Sequence, residues 1–136
     1  MNDSCTEPRD LRSSIIRGFR GQCPSCGDAR LFGRFLKPVS FCPACGQDWT
    51  VQTADDLPAY LVILLVGHLL APFIVALNLS HDVATWIQML LWPGLALAMS
   101  ILLIQPVKGA VVALQWHAGM HGFEEAKKLR DQATAG

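Results

Sequence analysis

Between Asp56 and Lys108 the chain carries one charge, Asp82, and otherwise falls into two apolar stretches. Leu57 to Leu79 is 23 residues without an ionised side chain, and Val83 to Val107 is 25. As helices they are about 34 to 38 Å long, against roughly 30 Å of hydrocarbon in a bilayer. The pattern therefore predicts a transmembrane helix over 57–79, an external loop over 80–84 and a second transmembrane helix over 85–105. A connection this short makes the pair an antiparallel hairpin. Asp56 is placed as N-cap of the first helix, with Pro58 in its first turn, where a missing N–H does no harm. Pro72 cannot donate to the carbonyl of His68, so a kink is expected there. Pro93-Gly94 predicts a second bend, and Gly94, Ala96, Ala98 and Ser100 offer a small-residue packing face.

The flanks are polar. Residues 1–14 read as a disordered tail, 15–49 as a ribbon with a basic lead-in, and 50–56 as a linker. In the lead-in, Ile15, Ile16 and Phe19 lie beside Arg17 and Arg20, which suits a loop packed on the ribbon or a short amphipathic segment on lipid headgroups. Trp49 suits the headgroup zone. After Pro106, Val107, Val111 and Leu114 keep helical spacing, but the stretch is too short and too polar to cross. It is expected to form an interfacial segment over 106–130, with Trp116 at headgroup level, followed by a tail over 131–136.

The most specific chemistry lies in CPSCGDARLFGRFLKPVSFCPACG, residues 23–46. Cys23, Cys26, Cys42 and Cys45 follow the C-x2-C-x15-C-x2-C spacing of a four-thiolate zinc site. Each pair can present two sulfurs from one tight turn, and four thiolates close a tetrahedral shell, the arrangement of one structural Zn2+. Leu31, Phe32, Phe35, Leu36, Val39 and Phe41 are too few to bury a core of their own. The metal, worth about 10 to 16 kcal/mol in such units, is expected to supply the fold. Cys5 is left over and reads as a free thiol.

Other candidates carry less. His68, an ionisable side chain deep in the first span, is a candidate functional residue; the alternative is a neutral ring bonded across the hairpin or to the loosened backbone. His117 and His121, four apart, would share a helix face and could form a second metal site; the alternative is two exposed histidines. Asp55 and Asp56 stand where carboxylates favour the helix dipole. Their distance from His68, about 18 Å along the helix from Asp56, argues against acid–base chemistry between them.

The net charge is zero, yet from Leu11 to Gln47 six Lys or Arg face one acid, Asp28. Anionic lipid under this basic ribbon accounts for the excess, and no nucleic acid is expected. The N-terminus lacks the apolar core of a signal peptide. Lys108, Lys127, Lys128 and Arg130 follow the second span, while SHDVAT between the spans has no Lys or Arg. The positive-inside rule thus predicts an external loop and both termini in the cytoplasm.

RGFRGQCPSCGDARLF, the second CPACG, DDLPAYLVILLVGHLLAP and QPVKGAVVALQW together resemble the bacterial membrane family catalogued as domain of unknown function nine-eight-three, over residues 16 to 117. The resemblance implies a two-span inner-membrane protein with an N-terminal zinc ribbon. Its recurring positions fall on the four ribbon cysteines, Asp55, Asp56, Pro58, Tyr60, Gly67, His68, Pro72, Pro106, Lys108, Gly109, Gln115 and Trp116. It also implies association with haem–copper respiratory oxidases or their assembly factors.

The fold expected is thus a small zinc ribbon followed by an all-α transmembrane hairpin and a C-terminal interfacial helix, in the inner membrane. The function expected is that of a non-enzymatic accessory or assembly protein with an integral membrane partner. The alternative is metal (copper or zinc) or thiol redox handling at the membrane.

Overall fold

The computed structural model describes residues 10–136, so Cys5 and the tail expected before residue 10 lie outside the described residues. The elements are helix α1 (Leu11–Phe19), strands β1 (Phe32–Arg34) and β2 (Lys37–Pro38), helices α2 (Leu57–Ser80) and α3 (Thr85–His117), a 3-10 turn (Met120–Gly122) and helix α4 (Phe123–Ala135). Leu11 to Ser14, expected as tail, form the first turns of α1. Ser14 and Gly18 are buried on its inner face. The two strands pair antiparallel, Phe32 opposite Pro38 and Arg34 opposite Lys37. The turn falls at Phe35-Leu36, and Leu36 takes φ 65°.

Both apolar helices are long and apolar enough to cross a membrane. They meet along Val62, Val66, Leu70 and Ile74 of α2 and Trp92, Ala96, Met99, Leu103 and Val107 of α3. On α2 this is a four-residue repeat, the row that forms a ridge along a helix. Of the expected small-residue face, Ala96 lies in this seam, while Gly94 and Ala98 are exposed. Ser100 instead turns its hydroxyl to its own helix, bonding the Ala96 carbonyl at 2.8 Å.

The largest departure is at the end of α3. The helix runs through Pro93 and Pro106 without interruption to His117. Its 33 residues extend about 50 Å, so its last three turns form a stalk beyond the apolar stretch. The expected interfacial segment over 106–130 is therefore two things: this stalk, then a separate C-terminal helix after the turn at Gly119.

One face of the stalk packs on the ribbon. Val111, Val112 and Trp116 join Cys23, Cys26, Leu31, Phe32, Cys42, Trp49, Ala54 and Phe123 in one buried cluster. Trp49, expected at the headgroups, is 1% exposed, with ring centroids 5.8 Å from Phe123 and 6.3 Å from Trp116. The apolar surface that the ribbon lacks is thus supplied by α3 and α4. Helix α1 closes the other side, where Gly18 and Gly109 pack backbone against backbone with no room for a Cβ on either.

Candidate metal centre

Two turns of the same design build the site. In each, the second cysteine is followed by a glycine with positive φ, Gly27 at 78° and Gly46 at 69°, a conformation that side chains with a Cβ rarely adopt. The glycine N–H closes the turn on the carbonyl of the first cysteine, Gly27 on Cys23 at 2.8 Å and Gly46 on Cys42 at 2.9 Å. Backbone N–H groups then point at sulfur: that of Cys26 at Cys23, those of Ala44 and Cys45 at Cys42, and that of Gln47 at Cys45. Such donors stabilise thiolates.

The four Sγ atoms lie within 4.8 Å of one another. Cys23 Sγ is 3.9 Å from Cys45 Sγ, and Cys26 Sγ is 3.7 Å from Cys42 Sγ. A tetrahedron with metal–sulfur bonds of about 2.3 Å has edges of about 3.8 Å, whereas a disulfide needs about 2.05 Å. The cysteines are therefore free and positioned to bind one metal ion. Cys23, Cys26 and Cys42 are buried and Cys45 is half-buried.

Without an ion the sulfurs share protons unevenly. The Cys45 thiol is pulled down to about 4, first by its hydrogen bond with Cys23 and then by the Gln47 N–H and the Ser25 hydroxyl. Cys23 is raised by the same sulfur contact and by burial, and burial pushes Cys42 up to about 11. Cys23 and Cys42 hence carry protons at neutral pH that a metal must displace. The sign follows: acid weakens binding and base strengthens it. With at least two protons displaced, affinity should change by at least about 100-fold per pH unit near neutrality. A chelator competition from pH 6.5 to 8 measures this slope, and a flat profile would contradict the assignment.

One contributor was not legible beforehand. Arg130 of α4 donates through Nη1 to Ser25 Oγ at 2.7 Å and to Gln47 Oε1 at 3.3 Å, while Nη2 meets Asp131 Oδ1 at 2.7 Å. Ser25 lies inside the first cysteine turn and Gln47 just after the second. A single guanidinium thus ties both turns to the C-terminal helix, beside four cysteines whose sulfurs are negative when ionised. Its side chain is 16% exposed. Arg130→Gln should cost about 1.5 to 3 kcal/mol, as for hydrogen bonds to charged groups, seen as faster metal loss to a chelator. Arg130→Lys should not restore it, because an ammonium lacks the planar fork. In the sequence Arg130 is one cation in a charged helix, with nothing to link it to residue 25.

The other candidates are dispersed. His117 ends α3, and His121 lies past Gly119 (φ 68°) with φ 56° itself. The chain reverses between them, so they share no helix face, and both are exposed; the expected second metal site is not formed. Lys127 packs there instead, 4.5 Å over the Trp116 ring, and burial lowers its pKa. His68 sits on the outer face of α2, away from α3, in a shallow groove with Ile63, Leu64, Gly67 and Ala71. Its Nδ1 lies 2.8 Å from the Leu64 carbonyl one turn back, so the ring bonds within its own helix and not across the hairpin. Asp56 occupies the N-cap position of α2, with Pro58 in the first turn, but its side chain makes no capping bond. Among the described residues, the four cysteines are the one cluster of His, Cys, Asp or Glu that could hold a metal.

A family model described as protein of unknown function (DUF983) matches residues 32–116. The match takes in the second cysteine turn, both apolar helices and the stalk, and leaves α1, the first cysteine turn and α4 outside. No curated protein and no solved structure matches.

Proposed function

The chain belongs to the DUF983 family, whose function is unknown, and from that premise we propose that it is a non-enzymatic membrane accessory protein. Its metal ribbon is a rigid docking knob held at a fixed height above the bilayer. The observation that carries this reading is the shared core: the cysteine cluster and the α3 stalk are packed into one unit through Trp49, Val112, Trp116 and Phe123. A knob fused to a spanning helix presents one face at one place, which suits docking on a neighbouring membrane complex.

In this reading the metal is a single structural Zn2+, because four thiolates in two closed turns leave no open coordination position. Both termini and the ribbon lie on the cytoplasmic side of the inner membrane, with the His81–Ala84 connection outside. The partner class comes from the family resemblance alone: a haem–copper oxidase or its assembly factors. Purification in mild detergent from native-level expression, with metal analysis and identification of co-purifying chains, tests the reading. One zinc per chain together with oxidase subunits or assembly factors supports it; zinc with no membrane protein companion removes it.

A second reading rests on Cys45. It is half-buried and strongly acidified, the combination that makes a thiolate reactive or exchangeable. Metal or thiol redox handling would follow if bound zinc exchanged readily for Cu(I) and passed to an apo acceptor.

A further inference from the structure

Beneath the ribbon, where it faces the hairpin, lies a cavity of about 500 Å³ lined by Arg20, Gly21, Gln22, Asp28, Ala29, Arg30, Phe32 and Gln105. Three elements meet there. Arg20 closes the C-terminus of α1, Gln22 and Arg30 form a backbone bridge across the first cysteine turn, and Gln105 comes from α3. Two guanidiniums oppose one carboxylate, and none of the three is in an ion pair among the described residues.

The position along α3 gives the cavity its meaning. Gln105 is the first polar side chain after Ser100, and Lys108 follows it. From Thr85 at the other end of the helix it is 20 residues, or about 30 Å, the thickness of the hydrocarbon layer. If the apolar part of α3 spans the bilayer, the cavity opens at the level where phospholipid phosphates lie. Arginine is the side chain best matched to phosphate, because its planar fork gives two parallel charge-assisted hydrogen bonds.

We propose that this cavity binds a phosphate ester, the headgroup phosphate of a membrane phospholipid, with Arg20 and Arg30 as its ligands. The site rests on the membrane-spanning reading above and deepens it: the ribbon is seated on the bilayer through one localised site, beyond diffuse attraction of its basic face. The same chemistry would take inorganic phosphate, so the two sources need separate measurements.

The test uses the full chain, metal-loaded, in detergent. Binding of short-chain phosphatidylglycerol and of inorganic phosphate is measured by calorimetry for three proteins: the unaltered chain, Arg20→Gln with Arg30→Gln, and Arg12→Gln with Arg34→Gln. All four arginines are exposed, and the last pair removes the same charge from positions outside the cavity. Metal content and far-UV circular dichroism confirm that each variant is folded. The expected result is saturable binding that weakens at least about tenfold in the Arg20/Arg30 variant and stays within about twofold in the other. Lipid bound more tightly than inorganic phosphate identifies the headgroup as source; equal binding of both supports the site with a soluble phosphate as ligand. Equal loss in both variants would mean diffuse charge attraction, and no loss in either would mean no site; each overturns the proposal. Alkaline extraction of membranes tests the spanning reading separately. A chain released by alkali would remove the lipid source, and the inorganic phosphate measurement would still decide the cavity.

Discussion

Cys26→Ser is expected to leave the protein without its metal and its ribbon without a fold, while the helical hairpin persists. Cys26 Sγ sits 3.7 Å from Cys42 Sγ in a buried cluster. A hydroxyl there neither ionises near neutral pH nor matches a thiolate as a ligand. The metal contributes about 10 to 16 kcal/mol in comparable units, as much as the whole stability of an ordinary domain, about 5 to 15 kcal/mol. The ribbon's own buried apolar side chains, Leu31, Phe32 and Trp49, cannot offset that loss even with the stalk's contribution. The apolar, spanning parts of α2 and α3 satisfy their backbone hydrogen bonds internally and do not depend on the site; only the stalk after Pro106, which shares the ribbon's core, loses packing. Metal per chain should fall from one to near zero, and limited proteolysis should cut within 22–49, with far-UV helical signal largely retained. A metal-bound, protease-resistant Cys26→Ser protein would refute the four-cysteine assignment.

Gly109→Ala should separate α1 from the stalk without removing the metal. A Cβ built on Gly109 collides with the Gly18 carbonyl, and one built on Gly18 collides with the Gly109 carbonyl and comes within 2.8 Å of Ala113 Cβ. The obstructing carbonyls are backbone atoms, which no rotamer change can move aside. Two effects compete. Alanine gains about 0.8 to 1 kcal/mol over glycine as a helix former, and it overpacks a helix contact at about 1 to 3 kcal/mol, occasionally more. The contact should win, because α1 and α3 must move apart along the whole line they share. Exchange of the α1 amides should accelerate, by up to about 30-fold for a net cost of up to about 2 kcal/mol. Gly18→Ala should give the same phenotype. Unchanged or slower exchange in α1 would show that the glycine pair is not what brings the two helices together.

The metal site was legible because it is local twice over. Each CPxCG turn is built within five residues: the glycine supplies the positive φ, and its N–H bonds the first cysteine's carbonyl. Only the joining of two such turns is long-range, and the repeated spacing announces it. The apolar helices were legible for a different reason, since length and the absence of charge suffice. Placement of the aromatic residues was not. Trp49 and Trp116 were expected in the headgroup zone and are found in the ribbon's core, because an indole next to an apolar span fits either surrounding. The His117/His121 pair shows the limit of spacing arguments, because the separation of a helix turn means nothing once Gly119 and His121 leave the helical region.

What the sequence alone determined are features encoded within a turn or by bulk composition: the four-cysteine centre, two helices able to cross a membrane, and their antiparallel connection. What only the tertiary structure decided is where the pieces go. Hydropathy cannot distinguish burial in lipid from burial against protein, so Val111, Val112 and Trp116 read equally well either way. A proline at position 106 marks a helix end by local rules, yet it removes one backbone bond, and packing on the ribbon keeps the helix going. The contact of Gly18 with Gly109, and of Arg130 with Ser25, joins residues 91 and 105 positions apart. Neither partner carries a local signal of the other. Such contacts exist because the ribbon's apolar deficit is met most cheaply by the stalk beside it, and that is settled only when the chain is folded.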